Sequence, residues 1–128
     1  MKNKLITIAI CGCALWAMTA VPSAAQNCNN PATTRDMVEC QAMEYQAADD
    51  ELNSAYQNVR ADQDQTGRII LRDAQRAWIK YRDAECNRHA DFARGGTIAS
   101  TIKLSCLTQM TAQRTQELRY NPLTGGSQ

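Results

Sequence analysis

Between residues 34 and 63 the inward-facing positions step by three and four. Met37, Gln41, Tyr45 or Glu44, Ala48, Leu52, Ala55 with Tyr56, and Val59 fall on one side of a helix. Thr33 or Thr34 can cap its start, and Asp36 and Glu39 suit the positive end of its dipole. A polar run from Asp62 to Gly67 interrupts the pattern. Helical spacing resumes over 68–90, where Ile70, Leu71, Ala74, Ala77, Trp78, Tyr81 and Ala84 or Glu85 form an apolar stripe and Arg72, Arg76, Lys80 and Asp83 fall on the far side. Gly95-Gly96 breaks the chain again, and a third helix is predicted over 97–120 with Leu104, Leu107, Thr111 and Leu118 in its stripe. Asn121-Pro122 is a stop signal, and residues 121–128 read as a flexible tail. No stretch alternates as a strand would. The pattern predicts an all-α protein, an elongated three-helix arrangement whose core holds Leu52, Tyr56, Trp78, Tyr81, Leu107 and Leu118.

Before the first helix the pattern is of another kind. A basic start at Lys2 and Lys4, an apolar run from Leu5 to Val21, and small residues in Pro22-Ser23-Ala24-Ala25 have the form of a secretory signal peptide over 1–25. The run is short for a membrane span, so the expected product is a periplasmic or secreted domain over 26–120 with no transmembrane segment. Ile10-Cys11-Gly12-Cys13 offers a rival reading, a lipoprotein anchored through Cys13; an apolar run that continues past Cys13 favours cleavage near Ala25.

Loss of the leader changes the charge. The 14 Lys and Arg of the chain fall to 12, without Lys2 and Lys4, against 13 Asp and Glu. A balance near zero argues against nucleic acid, whose phosphates demand a basic excess, and against adhesion to anionic lipid. Cysteines divide at the same boundary: Cys28, Cys40, Cys86 and Cys106 remain, an even set in an oxidising compartment, which implies two disulfides. Four cysteines allow three pairings. The short-range one, Cys28 with Cys40 and Cys86 with Cys106, closes modest loops and asks least of the fold. Metal is disfavoured, because no CxxC occurs and His89 is the lone histidine. No cofactor motif is present, and Gly95-Gly96 lacks the preceding strand that a phosphate loop requires.

Catalytic chemistry is hard to assemble from what is left. A nucleophile needs a base beside it, and His89 sits in a polar setting at the end of the second helix. Asp49, Asp50 and Glu51 are consecutive on a helix and point in different directions, so they cannot face one another as a glycosidase pair would. Charges inside apolar stripes are more informative, since an unpaired one would be costly there. Asp49, Arg82 and Arg114 hold such positions. The expectation is an ion pair between helices, Asp49 with Arg82 or Arg114, that acts as an internal brace; the alternative is that the arginines grip a partner's carboxylate.

One order of motifs is distinctive. Cys40, Ala48-Asp49, Leu52-Asn53 and Tyr56 come first; Leu71, Ala74-Gln75-Arg76-Ala77-Trp78 and Tyr81-Arg82-Asp83-Ala84-Glu85-Cys86 follow; then Gly95-Gly96-Thr97, Cys106, Arg114-Thr115 and Leu118. This order resembles the LprI-like family, small exported bacterial proteins named for a lysozyme-inhibitor lipoprotein. The resemblance spans essentially the whole chain after the leader. It implies an α-helical, disulfide-containing, non-enzymatic protein of the periplasm or surface that binds another protein, with inhibition of c-type lysozyme as the named activity. Contact with that strongly basic enzyme would fall to acidic groups, here Glu44, Asp49, Asp50 and Glu51. A structural or assembly factor of the cell envelope is the alternative function, and an envelope hydrolase a third class that lacks a catalytic set.

Overall fold

The computed structural model describes residues 28–121 and 125–127. The leader expected over 1–25, with Cys11 and Cys13, lies outside the described residues. Three helices make the fold: α1 (Thr34–Ala61), α2 (Gln65–Asp91) and α3 (Ala99–Arg119). At 1.5 Å per residue the two longer ones run about 40 Å each, which gives the elongated form.

Each start has a local cause. Thr33 caps α1 through a reciprocal box, its Oγ1 accepting from Asp36 N–H at 3.1 Å while Asp36 Oδ2 accepts from Thr33 N–H at 3.0 Å. Asp64 caps α2 by accepting from Gly67 N–H at 2.7 Å, and so starts that helix three residues ahead of the predicted 68. Turns from Phe92 to Ile98 join α2 to α3, with Gly95 at φ +78, where a side chain would strain the backbone. Beyond α3, Tyr120–Asn121 (β1) and Gly126–Ser127 (β2) form a two-residue antiparallel pairing in the segment expected as a tail.

α3 is the central element. It packs along α1 and along α2, whereas α1 and α2 meet only narrowly. A helix covered on two sides cannot carry one clean apolar stripe. Its buried positions are accordingly mixed in character: Cys106, Leu107, Thr111 and Thr115, the two threonines fully buried. Thr115 Oγ1 donates back to the Thr111 carbonyl at 3.0 Å, so that hydroxyl is buried at little cost. Leu52 and Ala55 supply the α1 side of the core, while Tyr56, Trp78 and Leu118 are half-buried.

Tyr81 corrects the sequence expectation: it is 59% exposed, and Ile70 in the same stripe is 65% exposed. α2 turns another face inward, built of Gln75, Arg82 and Cys86 with Leu71 and Trp78 beside them. Two constraints explain the rotation. Cys86 must point at Cys106, and Arg82 must reach between the helices; Tyr81 lies about 100° around the helix from Arg82 and is carried outward.

Both disulfides take the short-range pairing, Cys28–Cys40 and Cys86–Cys106. Cys28–Cys40 ties the N-terminal loop to α1. Cys86–Cys106 clamps α2 to α3 inside the core, with Cys86 fully buried and Tyr45 and Met110 packed around it. A closed loop of this length restricts the unfolded chain by about 3 kcal/mol. The paired substitutions Cys86→Ala and Cys106→Ala are expected to lower unfolding free energy by about that amount in urea titration; an unchanged midpoint would show that the clamp adds nothing.

Candidate functional site

Arg82 is a buried side chain with partners on all three helices. Its side chain is 8% exposed, although it ends in a guanidinium. Nη1 lies 3.5 Å from Asp49 Oδ1 on α1 and donates to Thr111 Oγ1 on α3 at 3.2 Å. Nε donates to Asp83 Oδ1 on its own helix at 3.0 Å, and Nη2 approaches the same oxygen at 2.9 Å. Its planar head also lies over two rings, with Cζ 5.2 Å from the Trp78 centroid and 5.5 Å from that of Tyr45. All three helices therefore meet at one cation. Burial pushes the Tyr45 hydroxyl above its ordinary pKa, against the opposing pull of Arg82.

Asp49 and Arg114 occupy different parts of this arrangement. Asp49 also accepts from Asn53 Nδ2 at 3.1 Å, which orients the carboxylate along α1. Arg114 also reaches Trp78, its Cζ 5.7 Å from the ring centroid; it donates from Nε to Gln75 Oε1 at 3.2 Å and pairs with Glu117 at 3.0 Å. Trp78 thus contacts two guanidinium groups. Gln75 is the partner that sequence reasoning missed, and Thr111, placed in the α3 stripe, was not read there as a partner of Arg82. The spacing 75, 78, 82, 86 does step by three and four, but polar side chains hide it from a search for apolar residues.

The acidic positions singled out on α1, Asp49 apart, lie within an arc of about 120° on its exposed side. Asp50 is exposed and accepts from Gln46 at 3.0 Å; Glu51 takes Arg119 of α3 at 2.8 Å at the exposed edge of the α1–α3 contact. Glu44 is exposed beside a shallow recess lined also by Cys28, Pro31, Met37, Cys40, Gln41 and Thr101. A second recess of about 330 Å³ is lined by Gln41, His89, Ile98, Thr101, Ser105 and Gln109 among others. At its edge His89 Nε2 stands 3.2 Å from Glu85 Oε1. Arg88 donates to the same Glu85 carboxylate from Nε at 3.0 Å and holds its pKa down to about 2. Among the described residues no group of His, Cys, Asp and Glu is arranged to hold a metal ion.

Charge is partitioned between the helices. α1 carries Asp36, Glu39, Glu44, Asp49, Asp50 and Glu51 against Arg35 and Arg60, whereas α2 carries Arg68, Arg72, Arg76, Lys80, Arg82 and Arg88 against Asp73, Asp83, Glu85 and Asp91. A near-neutral chain is thus acidic on one side and mildly basic on the other. Inside, Arg82 and Asp49 make the interhelical contact that removal would expose. Arg82→Ala is expected to cost about 3 kcal/mol in urea unfolding, with Arg82→Lys recovering little because an ammonium lacks the planar fork. Asp49→Asn should cost about 1 kcal/mol or less, since Asp49 is a third exposed and Asp83 still faces the cation. Unchanged stability in Arg82→Ala would contradict a bracing role.

Comparison with known proteins places the sequence in a family. A family model described as "Lysozyme inhibitor LprI" matches residues 25–118. An uncharacterized protein of Rhizobium meliloti (strain 1021), R02472, is 34% identical over 121 aligned residues, which cover 82% of this chain and 87% of that one. No solved structure matches. Among the described residues no helix is long and apolar enough to cross a membrane. With the match running from the residues before Cys28 to the last turn of α3, and so taking in both disulfides and the Arg82 junction, the chain belongs to the LprI family.

Proposed function

We propose that this protein is an exported, non-enzymatic binding module that inhibits a c-type lysozyme through the acidic side of α1. Family membership supplies the class of activity. The observation that carries the choice of surface is the concentration of six carboxylates against two arginines on α1. A strongly basic enzyme is drawn to such a side and repelled by the Arg and Lys of α2, so encounter is oriented before contact is made. Glu44, Asp50 and Glu51 are exposed there and form the contact set. Asp49, held by Asn53 and facing Arg82, serves the fold instead.

Export through a leader ending near Ala25 accompanies this reading. Two disulfides support it, because they form and persist in oxidising compartments. All four bonded cysteines lie after Ala25, so both disulfides stay with the exported domain when the leader is removed.

The test is a titration of c-type lysozyme activity with the oxidised protein. Activity is expected to fall toward zero at a small molar excess, and the inhibition should weaken as salt is raised. The triple variant Glu44→Lys/Asp50→Lys/Glu51→Lys should bind at least about tenfold more weakly. Full lysozyme activity at micromolar excess of inhibitor would remove this function and favour an envelope structural or assembly factor.

A further inference from the structure

α2 presents an apolar stripe that the fold leaves uncovered. Ile70, Ala74, Ala77, Tyr81 and Ala84 step by four, three, four and three, and all five are exposed. They face away from the buried set of Gln75, Arg82 and Cys86. At 1.5 Å per residue the stripe runs about 21 Å, long enough for a helix to lie along it. Ala74 and Ala77 at its middle let another backbone approach to the close limit of helix packing, about 8 Å between axes. Ile69, 42% exposed, widens one edge.

The charges beside the stripe say what fits it. Asp73 and Lys80 are seven residues apart, two turns, and flank the stripe on the same side. They are placed symmetrically about the point between Arg76 and Ala77, close to the middle of the stripe. If α2 of a second copy lies antiparallel across that point, Asp73 stands opposite Lys80 of the second copy and Lys80 opposite its Asp73. One surface then complements itself, as a two-fold interface must. Lys80 makes no ion pair among the described residues, and the Asp73 carboxylate, half exposed beside Arg72, is held below the usual range by that arginine and stays charged. An unrelated basic partner would meet Arg72, Arg76 and Lys80 along this edge, and an acidic one would meet Asp73 and Asp83.

We infer that α2 is a homodimerisation surface, on which two copies of this chain pair antiparallel through Ile70, Ala74, Ala77, Tyr81 and Ala84 with reciprocal Asp73–Lys80 contacts. The acidic side of α1 is not part of this interface, so the inference is independent of lysozyme inhibition. A stripe of this length gives an interface at the small end of specific ones, and the dimer should dissociate on the order of 10 µM or more weakly.

Sedimentation equilibrium of the oxidised protein from 1 to 500 µM tests this. A reversible monomer–dimer equilibrium is expected. Ala77→Lys and Tyr81→Lys should abolish it while leaving the helical circular dichroism unchanged, since both positions are exposed. Lys80→Asp should weaken the dimer by about tenfold, and Asp73→Lys combined with Lys80→Asp should restore it, because only facing charges can be exchanged without loss. A chain that stays monomeric at 500 µM overturns the inference. So does a dimer that survives Ala77→Lys, or a charge exchange that fails to restore what Lys80→Asp removed.

Discussion

One buried guanidinium joins this molecule's three helices. Arg82 reaches from α2 to a carboxylate of α1 and a hydroxyl of α3, lies against Trp78 and Tyr45, and is steadied by its own neighbour Asp83. α1 and α2 meet only narrowly, so this junction is a principal link between them. An arginine suits the task because its planar head can stack on aromatic rings while its edge donates in several directions at once. Taking it out of water is costly, and that cost is offset only while all of its partners stay in place.

The rotation of α2 follows from the same point. Arg82 and Cys86 are one turn apart, and both are required inside, one for the junction and one for the bond to Cys106. A cross-link and a multiply bonded cation outweigh the modest gain from burying one tyrosine and an isoleucine, which is roughly 2 kcal/mol for each side chain fully buried. The helix thus keeps a second, uncovered apolar side. Its charges are likewise sorted by position: α1 gathers acids on the outside of the bundle, while the basic excess lies on α2 and α3.

Much of this was legible in the residues. Helix spacing located all three helices to within three residues at each end, and the even set of cysteines implied two disulfides whose economical pairing the structure adopts. Asp49, Arg82 and Arg114 stood out because charge in an apolar stripe demands a partner, but spacing alone left open which arginine meets Asp49. That choice depends on where α3 lies, since Thr111 draws Arg82 inward while Gln75 and Glu117 hold Arg114. Tyr81 was misplaced for a related reason. Hydrophobic pattern weighs side chains one by one, and it undervalues a face made of Gln75, Arg82 and Cys86 whose worth appears only when partners on other helices are in place. Thr115 escaped attention similarly, and Thr111, though placed in the α3 stripe, was not read as a hydrogen-bond partner; both are small polar residues that the fold buries.

The state of the Arg82 side chain in solution tests this account most directly, and nitrogen-15 NMR of the arginine Nε–H groups reads it. Arg82 is expected to give a dispersed Nε–H signal that exchanges slowly with water at neutral pH and shows nuclear Overhauser contacts to Trp78 and Thr111, whereas exposed Arg76 exchanges fast. An Arg82 signal that exchanges as fast as that of Arg76, without contact to Trp78 or Thr111, would contradict the claim that this guanidinium joins the three helices.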